Sequence, residues 1–155
     1  MSKEIQYLVI HCTATPEGRA VMPDDIRRWH LSENGWKQVG YTDMVLLDGK
    51  VERLVGNNED KIIDPWEITN GVAGINSISR HIVYVGGTDA SGKAKDTRTP
   101  QQKAALGNYV LDFVRRFRDV QVAGHYQFDG KKACPSFDVP AWCRQIGVTE
   151  KNIKA

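Results

Sequence analysis

A chain of 155 residues, 41% hydrophobic and 26% charged, is long enough to bury a core and is most simply one domain, residues 1–155. A formal charge of +2, with Lys and Arg dispersed in short clusters such as Arg27-Arg28, Arg115-Arg116 and Lys131-Lys132, gives no electrostatic case for nucleic acid. The N-terminal apolar run, Tyr7 to Ile10, is too short for a signal peptide or a membrane span, and three cysteines without framework spacing suggest a reduced compartment.

Residues 5–13 read as a strand, β-branched and apolar, that ends before Pro16-Glu17-Gly18. Pro23-Asp24-Asp25 opens a helix with its acids in the first turn, where the helix dipole favours them; Ile26, Trp29 and His30 share a face, and Gly35 stops it. Residues 41–47 and 51–55 form strands around Asp48-Gly49, a hairpin signal. The stretch 56–76 is loop-like, and Ser79 to Gly86 reads as a central strand. Another loop follows, to Arg98.

The clearest helix then begins at Thr99, the N-cap, with Pro100 in the first position and Gln102 completing a capping box. Leu106, Tyr109, Val110, Phe113, Val114 and Phe117 recur at helical spacing. A short strand, Val120 to Ala123, leads into Gly124-His125, and Asp138 caps a last helix carrying Trp142 and Ile146. The alternation of strands and helices predicts an α/β domain with a mixed sheet.

His11 and Cys12 are neighbours in the first strand, so their side chains point to opposite faces. A buried cysteine is an ordinary small hydrophobe, whereas a buried histidine needs a polar partner. That places His11 toward a site and Cys12 inward, although on this pair alone a core histidine is the plainer reading. The stretch AGHYQFDGKKACPSFD, residues 123–138, adds His125 and Cys134. With His11 these supply two imidazoles and one thiolate, a set zinc accepts, leaving a fourth position open for water. Lys132, on the cysteine's loop, and Tyr41, at a strand start, are placed to stabilise an oxyanion; a solvated lysine and an ordinary strand tyrosine are the bland alternatives. His30 reads as a packed or capped core residue and Cys143 as packing. His81 reads as a strand-start residue that lines a cleft rather than a ligand.

Taken together, IHCTAT, IRRWH…GW…VGY, YVGG.D, GH and KACPSFD resemble the zinc N-acetylmuramoyl-L-alanine amidases of the phage-lysozyme type, whose fold includes the animal peptidoglycan recognition proteins. The matching segments run in order from about residue 5 to 143. The resemblance implies a central mixed β-sheet flanked by helices, with zinc at one sheet face in a groove. It implies His11, His125 and Cys134 as the Zn2+ ligands and Tyr41 and Lys132 as the catalytic pair. The implied reaction is hydrolysis of the amide between the lactyl group of N-acetylmuramic acid and L-alanine in peptidoglycan, by a phage or prophage lysin.

Some positions depart from the family pattern. Thr42 stands where histidine or asparagine usually follows the tyrosine. Gly74 and Asn76 fit the groove, but Gly71 replaces a histidine. Ser79-Arg80-His81 replaces Ser-Ile-Gly, and His81 is expected to take some of the space vacated at 71. Thr42, Gly74, Asn76 and His81 are thus the expected substrate-binding residues. The alternative of another class is a non-catalytic peptidoglycan-binding module on the same fold; retention of Cys134, Tyr41 and Lys132 argues for activity. Some phage members also restrain an RNA polymerase, and nothing in this sequence identifies such a surface. The protein is expected to be a monomer that is cytoplasmic until release and then acts on the cell wall, with 148–155 a flexible tail.

Overall fold

The computed structural model describes residues 1–155. The first expected strand, residues 5–13, is observed slightly shorter and is preceded by a separate two-residue strand. β1 (Lys3–Glu4) leaves for a different partner from β2 (Tyr7–Cys12), whose near-continuous apolar run is buried from Leu8 onward. After β3 (Thr15–Pro16), α1 (Pro23–Arg27) starts with Pro23 in its first turn, and the Asp25 carboxylate accepts the Met22 N–H at 2.8 Å. It continues as a π-helical turn, Arg28–Glu33, until Gly35, at φ +70°, turns the chain away. β4 (Asp43–Val45) and β5 (Val51–Arg53) form the hairpin around Asp48-Gly49.

The loop-like stretch holds β6 (Ile62–Ile63), antiparallel to β1, and is anchored by Glu67. That carboxylate accepts the Asp64 N–H at 2.8 Å and pairs with Arg80 at 2.8 Å, both side chains being almost wholly buried. A buried charge needs such compensation, and this one ties the loop to β7 (Ser79–Tyr84). β8 (Gly87–Thr88) pairs with β3. α2 (Pro100–Arg116) has the expected capping box, Thr99 Oγ1 accepting the Gln102 N–H at 3.0 Å and Gln102 Oε1 accepting the Thr99 N–H at 2.9 Å. β9 (Gln121–Gly124) and α3 (Val139–Gln145), capped by Asp138, complete the chain.

The main sheet has the order β5-β4-β7-β2-β9, with β4, β7, β2 and β9 parallel and β5 antiparallel at one edge. One face carries Leu8, Ile10, Cys12, Ile82 and Tyr84 against Leu106, Val110 and Phe113 of α2 and Trp142 and Cys143 of α3. Each fully buried large apolar side chain contributes about 1.5–3 kcal/mol, so this stripe outweighs the cap, worth about 1 kcal/mol, in holding α2 down. The opposite face is covered by a smaller cluster in which Ile26 and Val39 pack on Met44, Val83 and Val85.

The expectation of a flexible tail at 148–155 is corrected. Val148 and Ile153 belong to the larger core, Ile153 bridges Val122, and Asn152 donates to the carbonyls of Arg118 at 2.7 Å and Val120 at 2.8 Å. A short segment with two apolar anchors and its polar groups satisfied has no reason to detach. No helix is long and apolar enough to cross a membrane.

Candidate metal centre and active site

Parallel pairing sets β2 beside β7 with His11 opposite Val83 and Val9 opposite His81. By strand alternation, His11 and His81 therefore project from the same face, one residue pair apart, while Cys12 projects to the α2 face and is buried among its apolar side chains. β9 runs parallel to β2 and delivers His125 at the start of a short 3-10 turn, His125–Gln127.

The loop after that turn folds back on the sheet. Tyr126 N–H donates to the Cys134 carbonyl at 3.0 Å, Tyr84 Oη–H donates to the Pro135 carbonyl at 2.6 Å, and Ser136 Oγ–H donates to the Gly87 carbonyl at 2.8 Å. Tyr84 and Ser136 are supports the sequence reading missed. A tyrosine within the apolar run Ile82-Val83-Tyr84-Val85 was the available signal, because a buried phenol requires a partner.

These elements bring one nitrogen of His11, one of His125 and Cys134 Sγ to within 4.8 Å of one another. His11 uses Nδ1, which lies 3.8 Å from Sγ, and Sγ accepts the Cys12 N–H at 3.1 Å. Tetrahedral zinc with bonds of about 2.0–2.3 Å spaces its donors roughly 3.3–3.6 Å apart, so small side-chain movements would close this set on an ion. The donor chemistry also fits: two imidazoles and a thiol, with no fourth protein ligand in the cluster. Burial first, then the neighbouring histidines, holds His11 well below its usual pKa, and burial followed by the Lys132 charge lowers His125. Both imidazoles are thereby kept neutral, the form a metal needs. In the metal-free protein the Cys12 thiol and burial push Cys134 up, so metal binding must displace its proton.

Tyr41 lies beside this cluster, its ring 5.1 Å from that of His11. Its approach is fixed by His30, whose Nδ1 accepts the Gly40 N–H at 2.9 Å while its ring packs on Trp36 and Tyr41. His30 is thus a capped, buried residue. Burial, reinforced by the two thiols, raises the pKa of Tyr41, so its phenol remains a proton-bearing donor. Lys132 is exposed on the Cys134 loop.

Two of the residues expected to bind substrate do not reach the surface. Thr42 is 2% exposed, its backbone bonded to His81 and to Leu54 and Val55, because a residue leading into a central strand is claimed by the ladder. His81 has no exposure at all; its ring lies where a Cβ on Gly71 would have to be, so it fills the space beside 71 from within rather than lining a cleft. Gly74 is exposed in a turn at φ +93°. Asn76 is half-buried, with Oδ1 turned inward to Val72 and His81. It nevertheless borders a depression of about 590 Å³ with Trp36, Lys37, Asn70 and Gly71. A second depression, of about 540 Å³, lies along Tyr126, Lys132, Ala133 and Ser136.

With this geometry in view, the sequence pattern of the family described as N-acetylmuramoyl-L-alanine amidase matches residues 1–137. The chain belongs to that family. It is 34% identical to the endolysin of Enterobacteria phage K11 over 142 residues, covering 92% of this chain and 87% of that one. Among solved structures it resembles the Ph2119 endolysin from Thermus scotoductus MAT2119 bacteriophage Ph2119, with a TM-score of 0.71 and 25% identity over 98% of this chain and 87% of that one. The fold is also that of Drosophila PGRP-LB, with a TM-score of 0.68 and 19% identity over 100% of this chain and 91% of that one. The single-domain α/β architecture with a central mixed sheet is common to this amidase family and its structural neighbours.

Proposed function

We propose that this family member is a catalytic, zinc-dependent amidase that cuts the bond between N-acetylmuramic acid and L-alanine in peptidoglycan, serving as a phage or prophage lysin. The observation that carries the reading is the convergence of His11 Nδ1, His125 and Cys134 Sγ beside a protonated Tyr41 phenol. His11, His125 and Cys134 would hold the zinc. The ion supplies a Lewis acid that polarises the scissile carbonyl and makes water nucleophilic near neutral pH.

The chain's own groups divide the remaining work. The Tyr41 phenol, fixed by the His30 contact with Gly40, donates a hydrogen bond to the oxygen that gains charge. The Lys132 ammonium, which reaches His125 and Cys134 electrostatically, adds positive potential there. Gly74 and Asn76 help shape the floor of the muropeptide groove, while Thr42 and His81 act from beneath it.

The test is release of L-alanine amino groups from purified peptidoglycan, before and after chelation and with zinc added back. Release that chelation abolishes and zinc restores supports the reading. A folded, zinc-loaded protein that binds peptidoglycan without release would instead be a binding module, and the altered positions Thr42, Gly71 and Arg80 would be the first to examine.

A further inference from the structure

We infer that His81 is a positioning residue for His11: with Asn76 it forces His11 into the tautomer whose bare Nδ1 faces Cys134 and His125. The inference rests on the metal-binding reading above and concerns how this chain prepares one of its ligands.

Val72 N–H donates to Asn76 Oδ1 at 2.9 Å, which identifies that atom as the amide oxygen, an acceptor only. His81 Nε2 lies 2.9 Å from the same oxygen and must therefore carry a proton. The His81 ring has no solvent exposure and no carboxylate in hydrogen-bond contact; a second proton would leave an unpaired charge buried among imidazoles. His81 is thus neutral, and its Nδ1 is a lone pair. That nitrogen lies 2.8 Å from His11 Nε2, so His11 must donate there. A neutral imidazole has one proton to place, and with it on Nε2 the Nδ1 lone pair is left facing Cys134 Sγ at 3.8 Å.

Fixing the second nitrogen of a metal-ligating histidine sets its tautomer and ring orientation. Here another imidazole does so, and its own proton is assigned by an asparagine that a backbone N–H has oriented. The absence of a side chain at Gly71 is part of the device. A Cβ there would overlap Nδ1, Cγ and Cε1 of the His81 ring, the side of the ring that meets His11.

The direct measurement is long-range 1H–15N correlation spectroscopy of the histidine rings in metal-free, uniformly 15N-labelled protein. His11 and His81 should both appear as Nε2–H tautomers. A His11 signal with the proton on Nδ1, or a doubly protonated His81, overturns the inference without reference to zinc. The functional measurement is zinc affinity by competition with a chromophoric chelator. His81→Ala and Gly71→Ala should each weaken zinc binding by about 10–100-fold, whereas His81→Asn, which can return an acceptor to His11 Nε2, should recover most of the loss and preserve the His11 tautomer. Unchanged affinity in His81→Ala, or failure of His81→Asn to do better than His81→Ala, overturns it. If His81→Ala does not fold, the wild-type spectrum and the His81→Asn and Gly71→Ala affinities still decide. Correct tautomers in a protein that binds no zinc would defeat the metal reading and leave the hydrogen-bond assignment standing.

Discussion

On the α2 side of the sheet, Leu8, Ile10 and Cys12 of β2 meet Ile82, Tyr84, Leu106 and Phe113, and the contacts are non-directional hydrocarbon packing with few polar atoms to satisfy. On the other side the same strand presents His11, which meets His81, His125 and Tyr41 through ring contacts and directional hydrogen bonds. One strand therefore serves two interiors that respond to different changes. The first is sensitive to volume, because lost methylenes leave a cavity. The second is sensitive to which atom bears a proton, because a mismatched donor leaves a buried group unpaired.

Cys134→Ser attacks the second interior where it matters most. It should abolish zinc retention and lower L-alanine release by more than the ~10–100-fold typical of an outer-shell change, with the fold intact by circular dichroism; retained zinc and activity would break the comparison. Phe113→Ala tests the first interior. Phe113 is 2% exposed, and its loss should cost about 3–5 kcal/mol in denaturant unfolding while the folded fraction keeps its zinc. Cys12→Ser is the sharper test, since Cys12 adjoins the proposed ligand His11 in sequence yet packs with the α2-side cluster, where its thiol also approaches Ser136 and Cys134. A destabilisation of about 1–3 kcal/mol from burying a hydroxyl is expected, with zinc stoichiometry unchanged. If a folded Cys12→Ser protein kept its zinc and lost activity, the assignment of faces to roles would be wrong.

The smallest effect concerns pH. Burial, with His125 adding, pushes His81 down from 6.5 to about 3 in the folded state, so the unfolded chain binds more protons between those values. The contribution of neutral His81 to stability is therefore complete above about pH 6.5 and is lost as pH falls toward 3. In metal-free protein, the stability difference between wild type and His81→Asn should shrink by under about 1 kcal/mol from pH 7 to pH 6, measured by denaturant titration at each pH. No pH dependence in that difference would mean that His81 is not held neutral by the fold.

The elements that carried their own local chemistry were legible in the sequence. Thr99, Pro100 and Gln102 announced the start of α2, and Asp48-Gly49 announced the hairpin. The candidate metal set was legible as donor chemistry that zinc accepts, and resemblance firmed the assignment, since His11, His125 and Cys134 come from three separate segments whose spacing matches no compact metal motif. Thr42 lies deeper than expected because the ladder claims the residue leading into β4, and His81 for a different reason. β7 is buried along its whole length, so alternation cannot tell which face a polar residue joins, and the partners that satisfy His81, Asn76 and His11, come from another loop and another strand. The C-terminal segment misled because a short polar sequence conceals two apolar anchors, Val148 and Ile153.

That segment has a practical consequence. β9, which carries His125 at its end, is an edge strand of the main sheet, and an open edge is a template on which another chain can pair. By bridging Val122 at Ile153, with Lys154 N–H donating to the Val122 carbonyl at 3.0 Å, the last residues occupy part of that edge. An affinity tag fused directly to Ala155 would strain this closure, whereas an N-terminal tag on the exposed Met1–Ser2 end would leave it in place. Removing residues 152–155 should yield a protein that self-associates on concentration before it loses its zinc.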